Sequence, residues 1–128
     1  MRFFGSAHWL IPWLILVVGM YAIIKFVRGY INEGEFTDTD QRLVSMITGL
    51  LDLQATVGLV YFLWSGYVGI GFPTFRFTHG IVMFVAVVIP HFSSRCKNAD
   101  SSTRFINNFY LLFASFLLML VGISLIPA

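Results

Sequence analysis

Charged residues are scarce in this chain. Only 11% of its 128 residues are Asp, Glu, Lys or Arg, and 58% are apolar, whereas an ordinary soluble domain carries about 25% charged residues. The mean hydropathy is +0.83, and the composition indicates a membrane protein instead of a water-soluble globule. The formal net charge of +2 is small and dispersed, so the clustered basic face that nucleic-acid binding needs is also lacking.

Cysteine and histidine are scarce as well. The single cysteine, Cys96, permits no disulfide within the chain and excludes Cys-rich metal and iron–sulfur sites. The three histidines, His8, His79 and His91, supply the only imidazole ligands. No Ser/His/Asp or Cys/His nucleophile arrangement can be composed from the sequence. An electron carrier or a subunit is therefore expected in preference to an autonomous enzyme.

Four apolar runs have the character of membrane spans, which need about 20 residues for a hydrocarbon core of about 30 Å. They cover residues 9–27, 43–64, 77–92 and 105–126, the third being the shortest. Only helices satisfy their backbone in lipid over such runs, and short connections make neighbouring helices antiparallel. The sequence thus predicts a single all-α domain over residues 1–128, an integral-membrane four-helix antiparallel bundle.

The connections between the spans are polar or rich in glycine. Gly66, Gly69, Gly71 and Pro73 predict a loop between the second and third spans. The first connection holds four acidic residues whose spacing lacks the pattern of a Ca²⁺-binding loop. We expect a solvated loop there, which caps the second helix through Thr39 or Asp40.

The positions of the cations predict the orientation of the bundle. Six of the eight flank the first and third connections, namely Lys25, Arg28, Arg42, Arg95, Lys97 and Arg104. Arg2 and Arg76 lie at the opposite end. Because Lys and Arg in short loops stay on the cytoplasmic side, both termini are predicted to lie outside. Four amphipathic rings then fall near the outer interface, those of Trp9, Trp13, Trp64 and Tyr67.

Asp52 is the only charged residue deep within a predicted span. It lies ten residues, about 15 Å, beyond Arg42 and so near the bilayer midplane. The residues that share its helix face are Ser45, Gly49 and Thr56, while Gln54 and Gly58 point to nearly the opposite side. No basic residue is expected at its depth. One interpretation makes Asp52 functional, as a proton relay or as a partner in a buried cofactor pocket. The other makes it a protonated carboxyl that stabilises helix packing through a hydrogen bond.

His8 and His79 open the first and third spans, so they are expected near the outer surface at similar depth. Haem iron with two axial histidines needs imidazoles from facing helices at one level. Alternatively, both are polar residues tolerated where helices leave the bilayer. Met83, one turn below His79, is a weaker substitute ligand. The aromatic side chains expected to wall such a pocket are Phe3, Phe4, Trp9, Trp64, Phe75 and Phe77.

His91 is separated from that pair. It lies twelve residues, about 18 Å, beyond His79 and cannot share one iron with it. Next to Pro90 and close to the cytoplasmic interface, it is expected to fix a helix end by bonding Asn107 or Asn108.

Several short strings, in order, carry a resemblance to a family: Ser6-Ala7-His8-Trp9, Leu51-Asp52-Leu53-Gln54 leading to Gly58-Leu59-Val60-Tyr61-Phe62, Thr78-His79-Gly80, Pro90-His91, and the closing residues 118–127. Over nearly its whole length the chain resembles small bacterial four-helix membrane proteins often labelled "cytochrome B". The resemblance implies haem b ligation in the bacterial inner membrane, with His8, His79 and His91 matching the histidine positions and Gln54 the glutamine. The chain departs from the pattern at Asp52, where those relatives carry histidine, and at Ile11-Pro12, where they carry an Arg-Trp pair. The departure at Asp52 argues against two haems.

Two functions are therefore expected. The first is a multi-pass electron-transfer protein or subunit with one haem b between His8 and His79, linked to a quinone-dependent redox partner. Asp52, Gln54 and His91 are further cofactor-pocket candidates. The second is a non-catalytic accessory subunit of a larger respiratory or photosynthetic membrane complex. Such a subunit would contact lipid, would hold a chlorophyll-type pigment on a single histidine, or would carry no cofactor.

Overall fold

The computed structural model of the protein describes residues 2–127. These residues form four α-helices and no strand; the helices are α1 (Arg2–Ile31), α2 (Asp38–Ser65), α3 (Thr74–Val88) and α4 (Ser101–Ser124). A π-helical segment, Gly66–Ile70, prolongs α2, and a 3₁₀ segment, Ile89–Cys96, prolongs α3. Each of the four helical stretches is long and apolar enough to cross a membrane. The predicted all-α, membrane-spanning four-helix bundle is confirmed.

The connection between α2 and α3 is shorter than predicted. The glycine-rich stretch stays helical as far as Ile70, and the chain turns only at Gly71, whose φ of 74° suits glycine. Arg76 fixes this turn through bonds from its guanidinium to the Gly71 carbonyl (2.6 Å), the Phe62 carbonyl (3.1 Å) and Ser65 Oγ (2.6 Å). The predicted loop over residues 66–73 is therefore wrong for its first five residues, because the backbone keeps hydrogen-bonding into α2.

The start of α2 is capped by a residue that the sequence analysis did not select. Thr37 has an extended backbone and forms a capping box with Asp40, whose carboxylate accepts from the Thr37 backbone N–H at 2.9 Å. Asp40 is only 3% exposed, and its Oδ1 lies 2.6 Å from Lys25 Nζ. The expectation of a solvated acidic residue at this position is wrong, because α1 supplies a cation against which Asp40 is buried.

The four helices pack in a ring. α1 packs against α2 and α4, and α3 packs against α4 and α2. Glycine permits the close approach of α1 to α4, because a Cβ on Gly19 or Gly29 would overlap the ring of Phe116 or Phe105. The largest fully buried side chains of the core include Phe26, Ile15, Ile47, Leu51 and Leu112. Within residues 2–127, α1 and α3 are diagonal neighbours that face each other across the bundle without extensive packing.

Candidate functional site

Two of the three histidines meet across the diagonal of the bundle. The ring centres of His8 on α1 and His79 on α3 are 6.3 Å apart, with the ring planes at 83°. Both residues are half-buried. The structure thus brings together the predicted pair, on two helices that pack little against each other elsewhere.

Residues of α2 hold His8 in place. Gln54 Nε2 donates to the His8 carbonyl at 2.9 Å and lies 3.1 Å from His8 Nδ1. The Tyr61 ring stacks on the imidazole, with centres 5.9 Å apart and planes at 25°. Gly58 allows the approach, because a Cβ there would lie only 2.8 Å from His8 Cε1. His8 is therefore positioned by three residues that follow one another at helical spacing along one face of α2.

His79 is fixed by the backbone of α4. Its Nδ1 lies 2.8 Å from the carbonyl oxygen of Gly122, and since a carbonyl only accepts, the ring proton is on Nδ1. The second nitrogen, Nε2, then carries the free lone pair. Met83, the substitute ligand considered above, packs against α4 at Gly122, where a Cβ would lie 3.0 Å from its Sδ.

His79 has the second-nitrogen contact that is usual for a metal-ligating histidine. Such ligands usually donate the other ring N–H to a carbonyl or carboxylate, as His79 does to Gly122. Among the described residues no group of three His, Cys, Asp or Glu gathers around one point. His8 and His79 are the two imidazoles that could together hold a metal-containing group.

Gln54 fixes the tautomer of His8. Its Oε1 is buried without a hydrogen-bond partner among residues 2–127. Its Nε2 donates to the His8 carbonyl and faces His8 Nδ1, so the neutral ring carries its proton on Nε2. Ligation of a metal through His8 Nε2 would require the ring proton on Nδ1 and a Gln54 side chain turned away, because a reversed amide would set its oxygen against the His8 carbonyl.

The surroundings of the pair differ from those expected. Phe3 and Trp9 are 74% and 66% exposed and contact Phe4 and Trp13 respectively. The aromatic ring that does cover His8 is that of Tyr61, which the sequence analysis did not select. Since Gly58 lies seven residues, about 10 Å, before the end of α2, the pair is also deeper along α2 than a position at the outer surface implies.

Asp52 and His91 form a second cluster. Asp52 Oδ1 accepts from His91 Nε2 at 2.8 Å, and the two side chains are 53% and 48% exposed. Asp52 lies two residues before Gln54 and points to the opposite side of α2, as predicted. The prediction that nothing basic lies at its depth is wrong. The 3₁₀ segment rises about 2.0 Å per residue instead of 1.5 Å, so it carries His91 farther from its end at Cys96 than an α-helix would.

The two asparagines expected beside His91 bind other partners. Asn108 Oδ1 accepts from Ser93 Oγ at 2.6 Å, and Asn107 Nδ2 lies 3.0 Å from Cys96 Sγ. Both bonds join α4 to the 3₁₀ segment. The predicted role of fixing a helix end is thus taken by Ser93 and Cys96, and His91 is left to Asp52.

No family model matches the chain, and no curated protein and no solved structure shows a significant match to it. The functional argument therefore rests on the residues and on their geometry.

Proposed function

We propose that the protein is a membrane electron carrier, or a subunit of one, that holds a single haem b between His8 and His79. The observation that carries this proposal is the diagonal pair itself. Its ring centres are 6.3 Å apart, and the Nδ1 of each ring faces a side chain or backbone group of a neighbouring helix.

Each residue of the site has a distinct task in this proposal. Haem b supplies a one-electron redox couple when bound. His8 and His79 would provide the imidazole ligands; the Gly122 carbonyl fixes the orientation and tautomer of His79, and Gln54 holds His8 through its backbone carbonyl. Gly58 keeps the space that His8 occupies. The protein would exchange electrons with a quinone-linked partner in a bacterial cytoplasmic membrane and make no covalent bonds of its own.

Haem content of the purified protein tests the proposal, and the third histidine provides the matched control. We expect one haem per chain and a reduced-minus-oxidised difference spectrum in the native protein. His79→Ala should lose most of the bound haem, whereas His91→Ala should retain it, because His91 faces Asp52 instead of the pair. Native protein expressed with ample haem and still lacking a Soret band would overturn the proposal.

A second function is favoured by the outer surface of α2. Val60, Leu63, Trp64, Tyr67 and Val68 line an apolar hollow of about 390 Å³, and Tyr67 is 81% exposed. Such a hollow suits a lipid tail or a helix of a larger membrane complex; the pigment predicted on a single histidine finds no histidine in its lining. In this case the chain is an accessory subunit without redox chemistry. Gentle detergent extraction that returned only free monomer without pigment would exclude it.

A further inference from the structure

The Asp52–His91 pair is unusual in its exposure. Its side chains are about half exposed, although both residues belong to helical stretches that are long and apolar enough to cross a membrane. A carboxylate and an imidazole are strongly unfavourable in hydrocarbon unless they contact protein or water. The hydrogen bond between them satisfies one atom of each group, and the remaining polar atoms need another source of hydrogen bonds.

A polar cleft next to the pair provides that source. It has a volume of about 120 Å³ and lies between α2 and the 3₁₀ segment; its lining consists of Gln41, Val44, Ser45, Thr48, Pro90, His91, Ser93, Ser94 and Lys97. At about 30 Å³ per water molecule, the cleft has room for about four waters. Most of its lining residues carry a hydrogen-bonding side chain, which is the condition for water to stay there.

The polar residues of the cleft form a continuous track along α2. The track starts at Gln41 and continues with Ser45, four residues later, and Thr48, three residues after that. Asp52 lies one further turn along the same face of α2. The track spans 11 residues, about 16 Å along the helix axis. It begins near the capped end of α2, so it joins the membrane surface on the Lys97 side to the level of the Asp52–His91 pair.

The charged groups around the track are few. Lys97, which follows the 3₁₀ segment, lines the cleft. Arg104 of α4 donates to Gln41 Oε1 at 3.1 Å, at the end of the track where α2 begins. From α3, Arg76 is bonded to the turn after α2, and His79 is bonded to Gly122. Asp52 and His91 are therefore the titratable groups at the inner end of the track.

We propose that the cleft is a water-filled half-channel through which protons reach the Asp52–His91 pair from the Lys97 side of the membrane. Without an added proton, the pair is a carboxylate that accepts from the Nε2–H of a neutral imidazole, with a net charge of −1. Uptake of one proton forms an N–H bond at Nδ1 of His91 and breaks an O–H bond of hydronium, which leaves as water. The loaded pair, imidazolium with carboxylate, has no net charge. This proposal is independent of haem binding.

Cysteine accessibility tests the water-filled cleft. In a Cys96→Ser background, Ser45→Cys and Thr48→Cys place a thiol in the cleft, and Met46→Cys places one on the lipid-facing side of the same helix, where the native side chain is 49% exposed. The group that reacts with charged, membrane-impermeant thiol reagents is the thiolate, which forms in contact with water. We expect labelling of the cleft thiols to be about tenfold faster or more than that of Met46→Cys. The cleft thiols should be labelled by reagent added to the side of the membrane from which Asn98→Cys is labelled. Equal rates at all three positions would overturn the proposal.

Infrared difference spectroscopy tests proton loading and allows for variants that fail to fold. The native-minus-His91→Gln difference spectrum isolates the imidazole bands of His91 from those of His8 and His79. We expect these bands to respond reversibly to added acid, to exchange rapidly in D₂O and to shift in Asp52→Asn, with size-exclusion profiles serving as the check of folding. A native-minus-His91→Gln spectrum that does not respond to acid, or His91 bands that are the same in native protein and in Asp52→Asn, would contradict proton loading on the pair.

Discussion

The position of His8 depends on the absence of a side chain at Gly58. His8 lies so close to α2 that an added methyl group on Gly58 would come within 2.8 Å of the ring. Gly49, nine residues earlier on the same helix, has nothing within 4 Å of such a methyl group. The two glycines are chemically identical and differ only in what faces them, which makes them a matched pair for experiment.

Gly58→Ala should displace His8. We expect a loss of about 1–3 kcal/mol in the free energy of unfolding because the added atom forces the imidazole or the helix to move. Haem affinity should fall with it if the proposed ligation is correct. Gly49→Ala should leave stability unchanged or raise it slightly, since alanine is the better helix former. Thermal unfolding in detergent measures both, and equal losses for the two variants would contradict the account.

Some residue-level features of the site follow from the sequence, and others do not. The opposite directions of Asp52 and Gln54 follow from 100° per residue along α2. The similar depth of His8 and His79 follows from antiparallel spans. The stacking of Tyr61 on His8 and the acceptor role of the Gly122 carbonyl depend on how neighbouring helices are rotated about their axes. Apolar composition does not encode that rotation in a helix that is hydrophobic on most sides.

At the scale of helices, local backbone geometry accounts for the differences from prediction. The apolar runs place all four helices, because runs of about 20 residues have no alternative in lipid. They do not show that α3 continues as a 3₁₀ segment after Val88. That segment adds about 2.5 Å between His91 and its end at Cys96. The contact of His91 with Asp52 also depends on how far α3 is shifted along α2, which the apolar runs do not encode.

The start of α2 offers a test at this scale. Asp40→Ala removes the carboxylate that accepts from Thr37 and pairs with Lys25. We expect it to destabilise the protein by about 1–3 kcal/mol, since it leaves a capping N–H and a partly exposed cation without their partner. Asp38→Ala removes the same charge from an exposed position in the same turn and should lose less than about 1 kcal/mol. Chemical denaturation that showed the two variants to be equal would argue against a structural role for the Lys25–Asp40 pair.

At the scale of the whole molecule, the two polar clusters occupy opposite sides of one helix. His8 and Gln54 lie on one side of α2, and the Asp52–His91 pair lies on the other. Large apolar side chains are exposed along all four helices and are suited to lipid. This arrangement combines a candidate electron site in the bundle and a candidate proton site at its surface within about one turn of α2.

The orientation of the bundle is a prediction at the same scale. Six of the eight cations lie at the end that holds the connections after α1 and after the 3₁₀ segment, so this end should face the cytoplasm. In a Cys96→Ser background, Asn98→Cys should be protected from impermeant reagents added to whole cells, and Tyr67→Cys, at the other end, should be labelled. The reverse pattern would show that the charge distribution does not set the topology.

The central claim is that His8 and His79 ligate one haem iron together, and the spin state of the ferric protein tests it most directly. Two imidazoles on one iron give a six-coordinate, low-spin centre, and electron paramagnetic resonance of the native protein should show it. Removing one ligand in His8→Ala or in His79→Ala should convert any haem that remains bound to a high-spin form, and His91→Ala should leave the low-spin signal intact. A native centre that is high-spin, or a low-spin signal that survives in both single variants, would contradict the account.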